Sequence, residues 1–287
     1  MKGFLLYIGV PLMTVPTIAI IGAGNMGSSL LGGLIASGHP AHQLWACDTN
    51  AEKLTALHQQ WGVNTTTDNK EAAKAADILV LAIKPQLLKE VMTELTPIIQ
   101  TRKPLILSIA AGIRESSIHD WLGASIAIVR AMPNTPALIR SGATALWANP
   151  YVSHEQQNMA ESIMRSVGIT IWLSDESLMD TVTALSGSGP AYFFLMMESL
   201  QQAAEQLGLS NETARLLTLQ TALGAARMAI ESGKPLDELR QNVTSPGGTT
   251  EKAISVLEEN NIRGIYQRAL SAAKTRSEEL AEIMEKK

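Results

Sequence analysis

Short apolar runs recur through the first half of the sequence, and amphipathic stretches separate them. Uninterrupted runs of this length are typical of strands in a parallel sheet that is covered on both faces. The strands predicted in this way are Thr17–Ile21, Leu44–Cys47, Ile78–Ile83, Pro104–Ala111, Ser125–Val129, Ala143–Trp147 and Ile169–Leu173. Because helical segments alternate with these strands, the pattern predicts an α/β domain with an open, mostly parallel sheet.

The helical segments between the strands carry recognisable start signals. Asn50 can cap a helix over Ala51–Trp61, and Asp68 followed by Glu71 resembles a capping box for a short helix. A further amphipathic helix is predicted over Ser153–Val167. These signals support the alternation of strand and helix.

From about Asp175 the strand signals stop and long stretches of helix-forming residues begin. Pro190–Gly208 contains only two charged side chains, Glu198 and Glu205, and is therefore predicted to be a helix buried on most sides. A helix this apolar in a small helical domain needs a covering partner. The pattern therefore predicts a homodimer formed through this half of the chain.

Further helices are predicted after this one. Ser210 or Asn211 can cap the next, and Pro235–Gln241 forms a short third. We interpret the methionines of these helices, which include Met196, Met197 and Met228, as core residues rather than as the lining of a cofactor pocket.

The first predicted strand leads directly into a glycine-rich turn. Gly22–Gly27 forms a complete G-x-G-x-x-G, and Asp48 ends the second predicted strand at the distance where a carboxylate meets the adenosine ribose. The phosphates of a dinucleotide would lie on the N-terminus of the following helix, where unpaired N–H groups favour negative charge. The alternative is a strand-turn-helix unit that binds no nucleotide.

Two other segments follow the carboxyl ends of predicted strands, where open parallel sheets bind their ligands. They are Lys84–Gln86 and the proline-flanked segment Arg130–Pro136. We interpret both as walls of the site, although an exposed loop and a plain turn are the alternatives.

A second helix start with unusual chemistry lies in the other half of the chain. Asn242–Thr250 concentrates hydroxyl groups and glycines directly before the amphipathic segment Glu251–Glu259. A simple cap needs a single hydroxyl, so this concentration favours the binding of a carboxylate by N–H and hydroxyl groups. Ser186–Pro190 opens the long helix with similar chemistry, and the two starts are predicted to face one pocket.

Composition restricts the class of protein. The chain has 287 residues, 46% of them hydrophobic, one cysteine and a net charge of −4. These values favour two domains in a reducing cytoplasm, without a membrane span and without the basic surface that nucleic acid requires. No metal-binding or nucleophile motif occurs, so a small-molecule partner and a reaction that depends on binding, orientation and a cofactor are expected.

The first residues are apolar but do not resemble a secretory signal. Gly9 and Pro11 interrupt the apolar run, and no cleavage site follows. Residues 1–16 are therefore interpreted as an N-terminal extension with a loosely packed start, and both Met1 and Met13 remain candidates for the native start.

The sequence after residue 16 resembles the pyrroline-5-carboxylate reductase family. The resemblance is carried by IGAGNMG at 21–27, KPQ at 84–86, SIAAG at 108–112, RAMPNTP at 130–136, SGSGPAY at 186–192 and VTSPGGTT at 243–250. It implies a Rossmann-type dinucleotide-binding domain over 17–174 and an all-helical dimerisation and substrate domain over 175–287. It also implies reduction of 1-pyrroline-5-carboxylate to L-proline, the last step of proline biosynthesis, with NADPH or NADH, by a homodimer or a higher homo-oligomer built from dimers.

The same resemblance implies a set of site residues. Those implied to contact the cofactor are Ile21, Gly22, Ala23, Gly24, Asn25, Met26, Asp48, Asn50, Asn69, Ala82, Ile83, Lys84, Pro85, Ile109, Ala110 and Ala111. Those implied to contact the substrate are Glu176, Asn242, Ser245, Gly248, Thr249 and Thr250. In this family the active site combines the nucleotide domain of one subunit with helices of its partner.

A direct hydride transfer to the imine carbon needs little from the protein beyond orientation. We hypothesise that Ser245–Thr249 binds the substrate carboxylate and that the Thr250 hydroxyl, the one catalytic group assigned, hydrogen-bonds the ring nitrogen. Asp48 departs from the pattern of NADPH-preferring members, because a carboxylate repels a 2′-phosphate. Asn50 and Lys53 can relieve this repulsion, so the cofactor preference stays open.

Two other functions remain as alternatives. A β-hydroxyacid dehydrogenase also joins this nucleotide fold to helices, but it uses a helical lysine as acid, and neither Lys234 nor Lys252 has an obvious placement for that role. A non-catalytic nucleotide sensor would bind cofactor without turnover, yet it has no need of the intact VTSPGGTT segment.

Overall fold

A computed structural model describes residues 15–123 and 125–285. The strands are β1 Ile18–Ile21, β2 Leu44–Cys47, β3 Asn64–Thr66, β4 Ile78–Leu81, β5 Leu105–Ser108, β6 Ile128–Met132, β7 Gly142–Ala148 and β8 Gly168–Trp172. The α-helices are α1 Asn25–Ala36, α2 Ala51–Trp61, α3 Asn69–Ala75, α4 Pro85–Arg102, α5 Glu115–Leu122, α6 His154–Arg165, α7 Met179–Val182, α8 Gly189–Gln206, α9 Asn211–Ser232, α10 Leu236–Asn242, α11 Thr249–Glu259 and α12 Ile262–Glu285. The extension predicted at the start of the chain lies almost wholly outside the described residues.

The strands form one sheet in the order β3-β2-β1-β4-β5-β6-β7-β8. Neighbouring strands are parallel except for the antiparallel pair β6 and β7. The chain leaves β1 toward β2 and later returns to the other side of β1 with β4, so the direction of winding reverses between β1 and β4. Crevices at such reversals are where open α/β sheets bind their ligands.

Both faces of the sheet are covered, which explains the uninterrupted apolar runs. One core cluster joins Ile18 and Ile20 of β1 to side chains of α1, α2 and α6. The other joins Ala19 and Ile21 to side chains of α3, α4 and α5. Since successive strand residues point to opposite faces, every residue of β1 is buried.

The predicted α/β fold class is confirmed, and several elements match closely. β2 and α2 have the predicted bounds, and the Asn50 side chain caps α2 by accepting a hydrogen bond from the Lys53 N–H at 2.9 Å. The helix predicted over Ser153–Val167 is α6, and it begins with a reciprocal capping box between Ser153 and Gln156.

Other predictions need correction. The strand expected over Ser125–Val129 is β6, Ile128–Met132, so Arg130 lies inside a strand rather than in a loop. Asp68 caps α3, but the Glu71 carboxylate accepts a hydrogen bond from the Thr66 hydroxyl instead of completing a capping box. β3 and the long helix α12 were not predicted, because β3 is a short, polar, half-buried edge strand and α12 has no distinct start signal.

The described part of the chain divides into two compact units, one of residues up to 176 together with those from 281 onward and one of residues 177–280. The second unit is all helical, but its apolar helices are not buried within the chain. Gly189 is the buried residue of α8, whereas Phe193, Phe194 and Leu195 are each 63% exposed. The prediction that this helix is buried on most sides is therefore wrong for the single chain. Within the described residues, no helix has the length and apolarity needed to cross a bilayer.

Candidate functional site

The glycine turn after β1 requires glycine at its first position. Gly22 has a φ of 98°, and a Cβ placed there would lie 2.5 Å from the carbonyl oxygen of Ala82. The Gly22 N–H donates to the carbonyl oxygen of Cys47 at 2.7 Å, which ties the turn to the end of β2. A side chain at this position would therefore push β1 and β4 apart at the point where the winding reverses.

Helix α1 begins with unsatisfied donors. Its N-cap is Gly24, which has no side chain to cap the helix, and Ser28 is the first residue whose N–H reaches the Gly24 carbonyl oxygen, at 2.8 Å. Among the described residues, the N–H groups of Asn25, Met26 and Gly27 have no hydrogen-bond partner. A Cβ built on Gly24 meets nothing within 4 Å, so a ligand can approach this backbone closely. The combination suits the pyrophosphate of a dinucleotide.

Asp48 is held firmly at the end of β2. One carboxylate oxygen, Oδ2, accepts the Ala23 N–H at 2.9 Å and lies 3.3 Å from the Lys53 ammonium nitrogen. The other oxygen, Oδ1, accepts the Asn50 N–H at 3.0 Å. The side chain is only 14% exposed. Asp48 therefore fixes the glycine turn to the loop that precedes α2, a contact that sequence spacing did not reveal.

The other residues predicted to contact cofactor follow the carboxyl ends of adjacent parallel strands. Ala82–Pro85 follow β4, and Ile109–Ala111 follow β5, while Asn69 begins α3 beyond β3. Lys84 is exposed at the N-cap of α4, and Pro85 is the first residue of that helix. The sheet therefore brings these segments to one edge, together with the glycine turn.

Cys47 is a partner of Asn69 that the sequence did not reveal. Its Sγ donates to Asn69 Oδ1 at 3.0 Å, and its side chain is buried. Burial, with help from nearby carboxylates, raises the pKa of the Cys47 thiol to about 12, so the thiol stays protonated and acts as the donor. This contact orients the Asn69 amide.

A cleft of about 570 Å³ lies beside the glycine turn on the α1 side of the sheet. Gly24 and Asn25 belong to its lining, and Lys53 and Arg140 are the two cations there. No carboxylate belongs to this lining. The cleft therefore suits a negatively charged group near the N-terminus of α1.

Glu176 is engaged in a buried polar network. Its Oε1 accepts the Arg130 guanidinium at 2.6 Å and the Glu115 N–H at 2.7 Å. The Glu115 carboxylate in turn accepts from the Asn149 amide at 2.8 Å. Arg130 is 8% exposed. This ion pair was missed from the sequence because Arg130 was placed after the strand; an arginine next to an apolar run is the signal that could have revealed it.

In the helical unit, the residues predicted to contact substrate cluster around the start of α11. Asn242 ends α10, Thr249 begins α11, and its N-cap Gly248 offers no side chain. Among the described residues, the side chains of Asn242, Ser245, Thr249 and Thr250 make no hydrogen bond with protein. The Glu251 carboxylate, however, accepts the Gly247 N–H at 2.7 Å, so one donor of this turn is already used.

The other predicted helix start differs from expectation. Ser186 lies in a π-helical turn, Thr183–Gly187, and its hydroxyl donates to the Val182 carbonyl oxygen at 3.1 Å. Ser188 is the N-cap of α8, but its side chain makes no cap hydrogen bond. Shared access of the two starts to one pocket stays a prediction.

The sheet, its reversal point and the glycine turn define a Rossmann-type dinucleotide-binding protein. Two family models match the chain: NADP oxidoreductase coenzyme F420-dependent over residues 17–112, and pyrroline-5-carboxylate reductase dimerisation over residues 176–280. The chain belongs to the pyrroline-5-carboxylate reductase family, as its relatives make clear.

Among these relatives, the pyrroline-5-carboxylate reductase of Pseudomonas aeruginosa is 51% identical over 94% of this chain and 98% of its own length. That of Escherichia coli is 37% identical over 92% and 98%. The solved structure of a pyrroline-5-carboxylate reductase from Coxiella burnetii matches with a TM-score of 0.90 at 51% identity, covering 93% of this chain and 98% of that one. The Plasmodium falciparum enzyme, solved with NADP bound, matches with a TM-score of 0.82 at 31% identity, covering 93% and 98%.

Proposed function

We propose that this chain reduces 1-pyrroline-5-carboxylate to L-proline with NADPH or NADH, as the final step of proline biosynthesis. The observation that carries the proposal is the 51% identity to a pyrroline-5-carboxylate reductase over nearly the whole of both chains. The glycine turn and the hydroxyl-rich start of α11 supply the chemistry that such a reaction needs.

The nucleotide-binding residues fit a dinucleotide. The open N–H groups at the start of α1 can hold the pyrophosphate, and Asp48 with Asn50 borders the position of the adenosine ribose. The Cys47 thiol already donates to the side-chain oxygen of Asn69. The side-chain NH2 group of Asn69 is therefore the group that can donate a hydrogen bond to the cofactor. We assign the remaining contacts to the strand ends on either side of the reversal, from Ile21 to Met26, Ala82 to Pro85 and Ile109 to Ala111.

When bound, the nicotinamide supplies the hydride that passes directly to the imine carbon of the substrate. The chain's own part is to bind and orient the substrate. The backbone and hydroxyl groups of Ser245, Gly248 and Thr249 would hold the carboxylate at the N-terminus of α11, and Asn242 would border the ring. The Thr250 hydroxyl would hydrogen-bond the ring nitrogen. If the imine arrives protonated, no acid side chain is needed.

Glu176 has a weaker claim to direct substrate contact. Its Oε1 is already bound by Arg130 and by the Glu115 N–H, and the side chain is 23% exposed. A carboxylate in this position can still face a cationic substrate with its second oxygen. We therefore propose Glu176 as a substrate-binding residue that also has a structural role through Arg130 and Glu115.

We also propose that the chain acts as a homodimer or as a larger assembly of dimers. The match of residues 176–280 to a dimerisation family and the exposed apolar side chains of α8 support this. In this proposal the functional domains are residues 17–174 and 175–287. A reducing cytoplasm is proposed from the single cysteine.

The decisive experiment measures initial rates of NADPH and NADH oxidation with 1-pyrroline-5-carboxylate, together with the proline formed. Consumption of either cofactor with an equal amount of proline supports the proposal. Binding of both cofactors without turnover would overturn it in favour of a nucleotide sensor. Oxidation of a hydroxyacid in the same assay would point to a β-hydroxyacid dehydrogenase.

The role of Thr250 is tested with a matched pair of substitutions. Thr250→Ala should lower kcat about fivefold without abolishing activity, because one neutral hydrogen bond contributes about 1 kcal/mol. Thr250→Ser keeps the hydroxyl and should retain most of the activity. Complete loss of activity in a folded Thr250→Ala variant would instead indicate an obligatory proton transfer.

A further inference from the structure

Arg130 binds the carboxylate of Glu176 from the interior of β6. We propose that Arg130 is a positioning residue for the reaction. Together with the start of α5 it fixes Glu176, so that one carboxylate oxygen faces the cationic ring nitrogen of the substrate. The ligand class is a small ring that carries both a cationic nitrogen and a carboxylate. The inference rests on the proposed function, because that function supplies the cationic ligand.

Strand register places this network at the carboxyl edge of the sheet. Arg130 lies opposite Ser108, the last residue of β5. The chain continues from Ser108 into Ile109–Ala111, a segment proposed to contact the cofactor, and reaches the start of α5 at Glu115. Glu176 is bound both by Arg130 and by the Glu115 N–H. Its carboxylate therefore lies at the edge where open parallel sheets bind their ligands.

The two hydrogen bonds to Glu176 converge on one oxygen. Its Oε1 accepts the Arg130 guanidinium at 2.6 Å and the Glu115 N–H at 2.7 Å, whereas Oε2 accepts neither. The Glu115 N–H belongs to the first turn of α5, where the helix dipole favours a carboxylate. Two short bonds to one oxygen restrict rotation of the carboxylate. They therefore fix the direction in which Oε2 points.

The carboxylate of this ion pair is nearer to solvent than its cation. The Arg130 side chain is 10% exposed, and that of Glu176 is 23% exposed. A ligand that approaches from solvent therefore reaches the carboxylate more easily than the guanidinium. The network also contains the Glu115 carboxylate, bound by the neutral Asn149 amide, so two carboxylates share one guanidinium. The complementary ligand charge is positive.

Stability alone gives little reason for a charge at position 130. The neighbours of Arg130 in β6 are Val129 and Ala131, which are 0% and 5% exposed. Hydrophobic residues of similar volume often replace a buried ion pair without loss of stability, because burying both charges requires their desolvation. The buried guanidinium therefore points to a function of the carboxylate that it holds.

The experiment compares two ring carboxylates by isothermal titration calorimetry on the full chain with saturating NAD⁺ or NADP⁺. L-Proline has a cationic ring nitrogen, and cyclopentanecarboxylate has carbon in its place. Arg130→Met should weaken L-proline binding about tenfold and change cyclopentanecarboxylate binding less than about twofold, because only the cation faces Glu176. Equal losses for the two ligands, no loss for L-proline, or no L-proline binding by the parent chain overturns the proposal.

A double-mutant cycle tests whether Arg130 acts through Glu176. Glu176→Gln should by itself weaken L-proline binding about tenfold, because it removes the charge that faces the ligand. Adding Arg130→Met to Glu176→Gln should then weaken binding less than about twofold further, since the group that Arg130 positions has already lost its charge. Additive losses overturn the proposal.

Two milder substitutions avoid dependence on the folding of Arg130→Met. Arg130→Lys keeps a cation, and Arg130→Gln keeps a hydrogen-bond donor without charge. Arg130→Lys should therefore bind L-proline more tightly than Arg130→Gln, because a charge-assisted hydrogen bond holds the carboxylate more firmly. Equal affinities or the reverse order overturn the proposal.

A control for lowered stability lies on the opposite face of the sheet. Ile163 of α6 is 2% exposed in the core cluster of that face. Ile163→Ala should lower the urea midpoint about as much as Arg130→Met, because it leaves a cavity in the core. Its L-proline binding should nevertheless stay within about twofold of the parent, because Ile163 has no contact with Glu176. A loss as large as that of Arg130→Met overturns the proposal.

The outcomes distinguish this inference from the proposed function. The expected loss of L-proline binding, in a chain that does not reduce 1-pyrroline-5-carboxylate, would sustain the positioning role while the proposed reaction fails. Turnover by an Arg130→Met variant that keeps the parent KM for the imine and the parent affinity for L-proline would overturn the positioning role while the proposed reaction stands.

Discussion

The sheet unit and the helical unit treat their apolar side chains in opposite ways. In the sheet unit, helices of the same chain cover Ile18 and Ile20 of β1 and Leu79 of β4, and each of these side chains is at most 1% exposed. In the helical unit, Phe193 and Phe194 of α8 are 63% exposed, and Leu216 of α9 is 66% exposed. Both units have hydrophobic sequences, but only the sheet unit covers these apolar side chains with residues of the same chain.

This difference means that the sheet unit can be tested through its own folding, whereas the helical unit is best tested through association with a second chain. The sheet unit forms the glycine turn and its supporting contacts within one chain. The helical unit presents a large apolar surface, and such surfaces in a single chain mark an interface. The expectation is that changes in the sheet unit act through its internal packing, whereas changes on α8 act through association.

The largest effect is expected at the exposed apolar surface. In the proposed symmetric dimer, Phe194→Asp would place a charge in the interface twice and should weaken association by about 4 kcal/mol, roughly 1,000-fold. Analytical ultracentrifugation should show monomers, and activity should fall with the loss of the dimer. Tyr151→Asp, at an exposed apolar position of the sheet unit, is the control. A dimeric and fully active Phe194→Asp variant would remove α8 from the interface.

Substitutions in the glycine turn should lower the free energy of unfolding at Gly22 but not at Gly24. Gly22→Ala places a Cβ 2.5 Å from the Ala82 carbonyl oxygen at a φ of 98°, so about 4 kcal/mol of stability should be lost. Gly24→Ala meets nothing within 4 Å and should leave the urea midpoint almost unchanged while raising KM for the cofactor. If both variants lose equal stability, the contrast between packing and ligand approach is wrong.

The buried ion pair should show an intermediate effect. Arg130→Met leaves the Glu176 carboxylate without its cation and should cost about 3 kcal/mol of unfolding free energy. Glu176→Gln keeps an acceptor for Arg130 and Glu115 and should cost about 1 kcal/mol. Urea unfolding measures both. A rise in substrate KM for Glu176→Gln with unchanged stability would favour a direct role in substrate binding over a structural one.

The smallest effect is expected at Cys47. Its pKa rises from the ordinary 9.0 to about 12 in the folded chain, so above pH 9 the unfolded state loses its proton first. Stability should therefore fall as pH rises, by about 1 kcal/mol more between pH 8 and pH 10 than in Cys47→Ser. The native thiol should also resist iodoacetamide at pH 8. Rapid labelling of the folded protein would show that the Cys47 thiol is accessible to solvent and reagent.

Local patterns were sufficient for much of the sheet unit. β2, α2 and the Asn50 cap were predicted because apolar runs and cap residues act within a few positions. β6 was placed too early, because Arg130 appeared to end an apolar run; its charge is tolerated in the strand through Glu176, 46 residues away. β3 was missed because an edge strand with polar residues has no apolar signal.

The candidate site shows the same division. The glycine turn and the hydroxyl-rich start of α11 were found from residue type and spacing. The exposure of α8 was not, since hydrophobicity predicts that a surface is covered but does not say by which chain.

The sequence alone determined the alternation of strands and helices, the glycine turn and the motifs that mark the family, because each depends on residues close together in the chain. Only the tertiary structure decided that Asp48 anchors Ala23, that Arg130 pairs with Glu176 and that Cys47 orients Asn69. Those contacts join residues that meet only after the strands have taken their order in the sheet, and that order is set by packing across the whole unit.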